Sequence, residues 1–312
     1  MAEYIIVEDG DIVLIAQDVE TEVAFCVSST TLKAKCPSLY SHSLTYPQSL
    51  QSPYRLPDDP ELLRTLLHCI HDTRYSFMLQ VDTEELLQLT LLAHKYDCAA
   101  ALHTFILDQH DNYMRQNKNN KHDDPRSLLD LLNVGYLSKH AEVFRSCTRT
   151  LVVTQVKGFH ELCGSSGLRI SDFIILWLEI ARTHLREAYQ IIILQALHLG
   201  CRNVLDECEP INKMNELLDN HNDWMSSWSF EHMAAKHAAF VTEAEQDASR
   251  CEDCSLLFMP AHVMSNDELE SAKAWKGLCV LCCHARARDP FECDGKCEDK
   301  NSGIEEEMEK RE

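Results

Sequence analysis

The chain has 312 residues, 45% of them hydrophobic and 25% charged, the balance of a soluble globular protein with one large or two ordinary domains. Its formal charge of -21 and pI near 5.1 exclude a chain-wide affinity for nucleic acid or anionic membrane, because phosphate binding needs clustered Lys and Arg that release counterions. The N-terminus lacks the basic start and apolar core of a signal peptide, and no apolar run approaches the roughly 20 residues of a membrane helix, so the expected setting is intracellular: cytoplasm, nucleus or both.

In chain order, two β-branched runs, Asp11 to Gln17 and Glu22 to Val27, flank a charged turn from Asp18 to Glu22 and read as a hairpin. Ser28 or Ser29 then offers a side-chain oxygen to cap a helix over Thr-Thr-Leu-Lys-Ala-Lys. From Tyr40 to Tyr54 the text is polar and broken by two prolines, an expected exposed loop. A short strand near Arg55 follows. Asp59 stands at an N-cap and Pro60 at a first helical position, where the missing N–H would be unpaired anyway. That helix carries Leu62, Leu63, Leu66, Leu67 and Ile70 on one face. Asp82 with Glu85 resembles a capping box ahead of Leu86, Leu89, Ala93 and Tyr96, and a further helix runs from Ala99 to about Met114.

Two of these stretches share a resemblance. Asp11, Phe25 and Leu32 stand where a BTB/POZ domain has its aspartate-led first strand, the key Phe of its second strand and the Leu of its first helix. Leu91 to Cys98, with Ala93-His94-Lys95-Tyr96, is similar to the Ala-Asp-Lys-Tyr signature of the same family, with His94 in place of Asp; the chain also differs from the pattern at Ser28, Cys36 and Leu39. The resemblance implies an N-terminal domain over 1–115 made of a short sheet covered by helices. It further implies a homodimer formed through the first strand and first helix, with Leu32 buried against the symmetric copy, and recruitment of other proteins, including a cullin-type ubiquitin ligase scaffold.

Residues 116–125 are polar and read as a linker. From Asp124-Pro125 onward apolar residues recur at helical spacing almost continuously, giving an all-α domain over 126–250 packed as a bundle or stack. Gly158, Gly164 with Gly167, and Gly200 are the expected stops. Glu142 to Val152 is similar to the corresponding stretch of fungal BTB-domain proteins.

Of the 15 cysteines, eight are spread over 26–208 and seven crowd into 251–297. In a reducing compartment they are small buried apolar residues or metal ligands, not disulfides. Cys251-x-x-Cys254 and Cys279-x-x-Cys282 can close a tetrahedral thiolate site for structural zinc, since each pair spans one tight turn. A second set can be drawn from Cys283 or His284 with Cys293 and Cys297; the choice stays open, and a disordered cysteine-rich tail is the alternative to both. This module spans 251–300, and residues 301–312 form an acidic tail expected to be disordered.

Gly164-Ser-Ser-Gly167 lacks the spacing of a nucleophile elbow and reads as a loop, no His pair has HExxH spacing, and no phosphate-cradling glycine motif is present. The expected protein is therefore not an enzyme. It is α+β, with a BTB/POZ-like domain, a helical domain and a zinc-binding tail, acting as a self-associating adaptor. The alternative is a zinc-binding transcriptional or chromatin regulator that uses its tail, a reading that the acidic residues around the cysteines oppose.

Overall fold

Alternation of apolar residues builds the sheet. In the computed structural model, which describes residues 2–17, 22–44, 54–73, 80–117, 124–166, 171–198, 229, 232, 233, 235, 275 and 277–285, strands β2 (Ile12–Gln17) and β3 (Glu22–Val27) pair antiparallel with Leu14 opposite Phe25. Both side chains are fully buried. Strand β1 (Ala2–Ile5) joins β3 in parallel and β4 (Tyr54–Leu56) joins β2 in parallel, giving the order β1-β3-β2-β4. The architecture is α+β, one small sheet with helices.

The helices begin where local chemistry satisfies their first N–H groups. Ser28 accepts from the Thr31 N–H at 3.4 Å and opens α1 (Ser29–Lys35). Asp59 accepts from the N–H groups of Glu61 and Leu62, both at 2.9 Å, with Pro60 as the first residue of α3 (Pro60–Ile70). Asp82 accepts from the Glu85 N–H at 2.8 Å at the start of α4 (Thr83–Lys95), and Asp124 from the Arg126 N–H at 3.2 Å at the start of α6 (Pro125–Leu137). Between them, a 3-10 turn (Ala99–Leu102) leads into α5 (His103–Asn117).

Three extents differ from the sequence reading. Helix α2 (Pro37–Leu44) replaces the first residues of the expected loop, with Pro37 at its first position and the Ser41 hydroxyl donating to the Pro37 carbonyl at 2.8 Å. Helix α5 continues to Asn117, past the start of the expected linker. Helix α8 (Phe159–Ser166) takes in Gly164, Ser165 and Ser166 of the expected loop, because packing outweighs the helix cost of about 1 kcal/mol for a glycine. Phe159 and Cys163 are buried there, and the Phe159 N–H donates to Glu179 Oε1 at 2.5 Å on α9 (Asp172–His198).

The chain forms two compact units, residues 1–144 and 145–312. The division falls inside α7 (Ala141–Thr154), so α6 belongs to the first unit. Leu128, Leu129, Leu131, Leu132 and Val134 are buried around nearly the whole circumference of α6, which makes it a core helix. At Gly135 a Cβ would lie 2.8 Å from the Phe144 nitrogen, so only glycine permits this approach of α6 to the start of α7. Helices α3, α4 and α6 close without glycine: Asp72, Asp97 and Lys139 take φ of 50, 53 and 54°. The next N–H in each case reaches back five residues, Thr73 to His68 at 3.1 Å, Cys98 to Ala93 at 2.9 Å and His140 to Gly135 at 2.8 Å. Among the described residues no helix is long and apolar enough to cross a membrane.

Candidate interaction edge and cysteine segment

The strand that begins at Asp11 is interior, with β3 on one side and β4 on the other. It offers no edge to a second chain. Among the described residues the edge beyond β3 belongs to β1, where Tyr4 is 37% and Ile5 66% exposed. Tyr4 is held flat: its ring stacks on Phe25 at 6.0 Å, and the Arg64 guanidinium lies 5.2 Å over its centre while pairing with Glu61 at 2.5 Å.

Each sequence-predicted interaction residue has a role inside its own chain. Asp11 accepts from the Ser29 N–H at 2.7 Å and the Ser29 hydroxyl at 2.5 Å, tying β2 to the start of α1. That hydroxyl, and then the N–H, hold the Asp11 carboxyl below its ordinary range. Phe25 and Leu32 have no exposed surface. They join sheet to helices and present nothing to a partner, so the expected burial of Leu32 against a symmetric copy is replaced by burial in its own core. In the second resembling stretch Tyr96 is buried with its hydroxyl donating to Asp58, and Lys95 pairs with the same carboxylate at 2.5 Å.

In the second unit the segment Gly277 to Cys283 is seated on α7. Gly277 has φ +95°, and a Cβ there would meet the Arg145 carbonyl oxygen at 2.2 Å. The Leu278 N–H donates to the Thr148 hydroxyl at 3.0 Å. Helix α10 (Val280–Ala285) follows, with Cys279, Cys282 and Cys283 buried and His284 exposed. Cys251, Cys254, Cys293 and Cys297 lie outside the described residues. Among the described residues no group of three or more His, Cys, Asp or Glu side chains is placed to hold a metal ion.

No family model, curated protein or solved structure matches this chain. Its site must be read from its own geometry.

Three features escaped the sequence reading. A polar groove of about 410 Å³ opens among Gln80, Thr83, Gln109, Asn112 and Tyr113. A histidine cluster joins α5 to the turn between α6 and α7: the rings of His103 and His140 are 4.7 Å apart, and His103 Nε2 lies 3.2 Å from the Ser138 carbonyl. Burial, then the neighbouring His103 and His110, push His140 down to about 4. Third, Cys36 and Cys98 are both buried in the first unit, and the Cys36 thiol donates to the Tyr96 carbonyl at 3.5 Å. His103 and His140, like the Cys36 thiol and the Tyr96 carbonyl, come together only through tertiary packing, and no spacing in the sequence announces them.

Proposed function

We propose that this chain is an interaction protein, not an enzyme, whose N-terminal unit is BTB/POZ-like and joins a second copy along β1. The observation that carries the reading is the outer edge of β1, where Ile5 and Tyr4 are exposed on a strand whose N–H and C=O groups face no described neighbour on that side. Such an edge is a template for pairing with another strand. The order of hairpin, two helices, short parallel strand and further helices supports the BTB/POZ-like assignment. Light scattering after size exclusion tests it on the full chain. A dimer is expected, with Ile5→Asp shifting it to a monomer at unchanged helix content; a wild-type monomer at every concentration rejects the reading.

The same protein carries a structural zinc held by Cys279 and Cys282 together with Cys251 and Cys254. Support comes from the burial of the first two thiols, Cys279 immediately before α10 and Cys282 within it, with the neighbouring Leu278 N–H bonded to Thr148 of α7. Thiolate ligands fit zinc, and four of them leave no open position for catalysis. Elemental analysis of protein purified without chelator is expected to find zinc, lost in Cys279→Ser; its absence from wild type removes the proposal.

A further inference from the structure

The end of α3 grips α1 at both of its ends. At the first, the N–H of Ser28, the residue that caps α1, donates to His71 Nε2 at 3.2 Å. The other ring nitrogen, His71 Nδ1, lies 2.8 Å from the Leu67 carbonyl one turn back in α3. An N–H can only donate and a carbonyl can only accept, so these partners fix the tautomer: the proton sits on Nδ1, and Nε2 is the bare acceptor. At the other end of α1, Lys35 pairs with Asp72, the left-handed residue that follows His71. The next N–H after that of Ser28, on Ser29, donates instead to Asp11 at 2.7 Å. Two consecutive amides at the start of α1 thus have side-chain acceptors from different elements, one of them an imidazole.

We propose that His71 is a pH-sensitive latch: acid places a proton on Nε2, the Ser28 N–H loses its acceptor, and the start of α1 parts from the end of α3. A proton on Nε2 sets two donors face to face, so the charged imidazole and the Ser28 bond exclude one another. The charged and titratable groups around the ring are Lys35 on α1, Asp72 beside it, His68 with Arg64 behind it on α3, and Asp11 beyond Ser29. Burial, the largest influence, and Lys35 hold His71 below its ordinary 6.5, while the Leu67 carbonyl and Asp72 act against them. The latch is therefore closed at neutral pH and opens as the pH falls below 6.5 through the folded value. Asp11 does not open with it, because the Ser29 hydroxyl and N–H hold its carboxyl below the ordinary range. The fully buried Leu32 and the Lys35–Asp72 pair keep the rest of α1 in place, which confines the acid response to the helix start.

The test is nuclear magnetic resonance on the full chain, labelled with nitrogen-15 and titrated from pH 7.5 to 4. At pH 7.5 the imidazole spectrum of His71 should show the Nδ1–H tautomer. As His71 takes up its proton, exchange of the Ser28 amide, corrected for the intrinsic effect of pH, should rise several-fold, while the Cys36 amide, bonded to the Leu32 carbonyl inside α1, keeps its rate. His71→Gln offers a carboxamide oxygen that does not titrate and should keep Ser28 protected with no acid step. Lys35→Met removes a charge that opposes protonation, so the His71 midpoint should move up and the Ser28 step should move with it. An Nε2–H tautomer at pH 7.5 overturns the proposal, as does a His71 titration that leaves Ser28 exchange unchanged. Equal acceleration of the Ser28 and Cys36 amides, or a Ser28 step that stays in place when the His71 midpoint moves, overturns it as well.

Discussion

The molecule buries cysteines in two regions that are built differently. In the first unit Cys36, Cys69 and Cys98 are buried, as are Leu32, Leu39, Leu66 and Leu67, so the thiols belong to a core that apolar helix faces assemble. In the segment from Gly277 to Cys283 the thiols are three of seven consecutive residues, and the backbone is fixed by one glycine in the left-handed region and one bond to Thr148. The first arrangement depends on shape. The second depends on a backbone conformation and, in the proposed function, on a metal. The same residue type thus sits in a redundant setting at one place and a fragile one at the other.

The largest effect is expected from Leu32→Ala, which empties a fully buried site and should cost about 3 kcal/mol in the first unit by urea denaturation. It should leave the thiols of Cys279, Cys282 and Cys283 protected from alkylation. If those thiols react as fast as in unfolded protein, the two regions share one cooperative core and the contrast fails. Gly277→Ala is the reverse experiment. A Cβ 2.2 Å from a carbonyl oxygen at φ +95° cannot be relieved by a side-chain rotation. A cost of roughly 2 kcal/mol is expected, read as fast alkylation of Cys279, Cys282 and Cys283 while Cys36 and Cys98 stay protected.

The parts of the first unit that were legible in the sequence are those decided within one helical turn. Asp59-Pro60, Asp82 and Asp124-Pro125 act as caps because the chemistry of an N-terminus lies in adjacent residues. Helix ends were not legible. No glycine marks the ends of α3, α4 and α6, which stop at Asp72, Asp97 and Lys139, where a left-handed residue turns the next N–H back onto the helix. Strand β1 was also invisible: its four residues pair in parallel with a strand twenty positions away, a contact with no local signal. For the candidate sites, Cys279 and Cys282 were marked by spacing, whereas the exposed edge and the histidine cluster depend on which elements meet.

The histidine cluster probes how the shape-dependent region is sealed. His140 is buried and neutral when folded, and its folded value of about 4 lies below the ordinary 6.5 of an unfolded histidine. Between those values the unfolded chain binds the extra proton. Stability is therefore full above about pH 6.5 and falls as the pH drops from there toward 4. From pH 7 to 5.5 the loss from this group should be about 1 kcal/mol. His68 and His71, both shifted down chiefly by burial, act in the same direction. His140→Gln should flatten the pH slope of the urea midpoint; an unchanged slope would mean that the imidazole accepts its proton without disturbing the core.

The smallest effect concerns the turn that carries His140. Lys139 is exposed, and its φ of 54° places an L side chain where the Cβ crowds the following carbonyl, a cost of about 1 kcal/mol that glycine does not bear. Glycine also loses more freedom on folding, which cancels part of the gain. Lys139→Gly should thus stabilise the first unit by roughly 0.5 kcal/mol, with no change in the alkylation of Cys279, Cys282 or Cys283. Asp97→Gly should gain less, because the short polar side chain of Asp already tolerates the left-handed region. A larger gain at Asp97 than at Lys139 would show that the Asp97 carboxylate opposes the native turn, placing strain beside Cys98 and making the first thiol setting less robust than its apolar surroundings suggest.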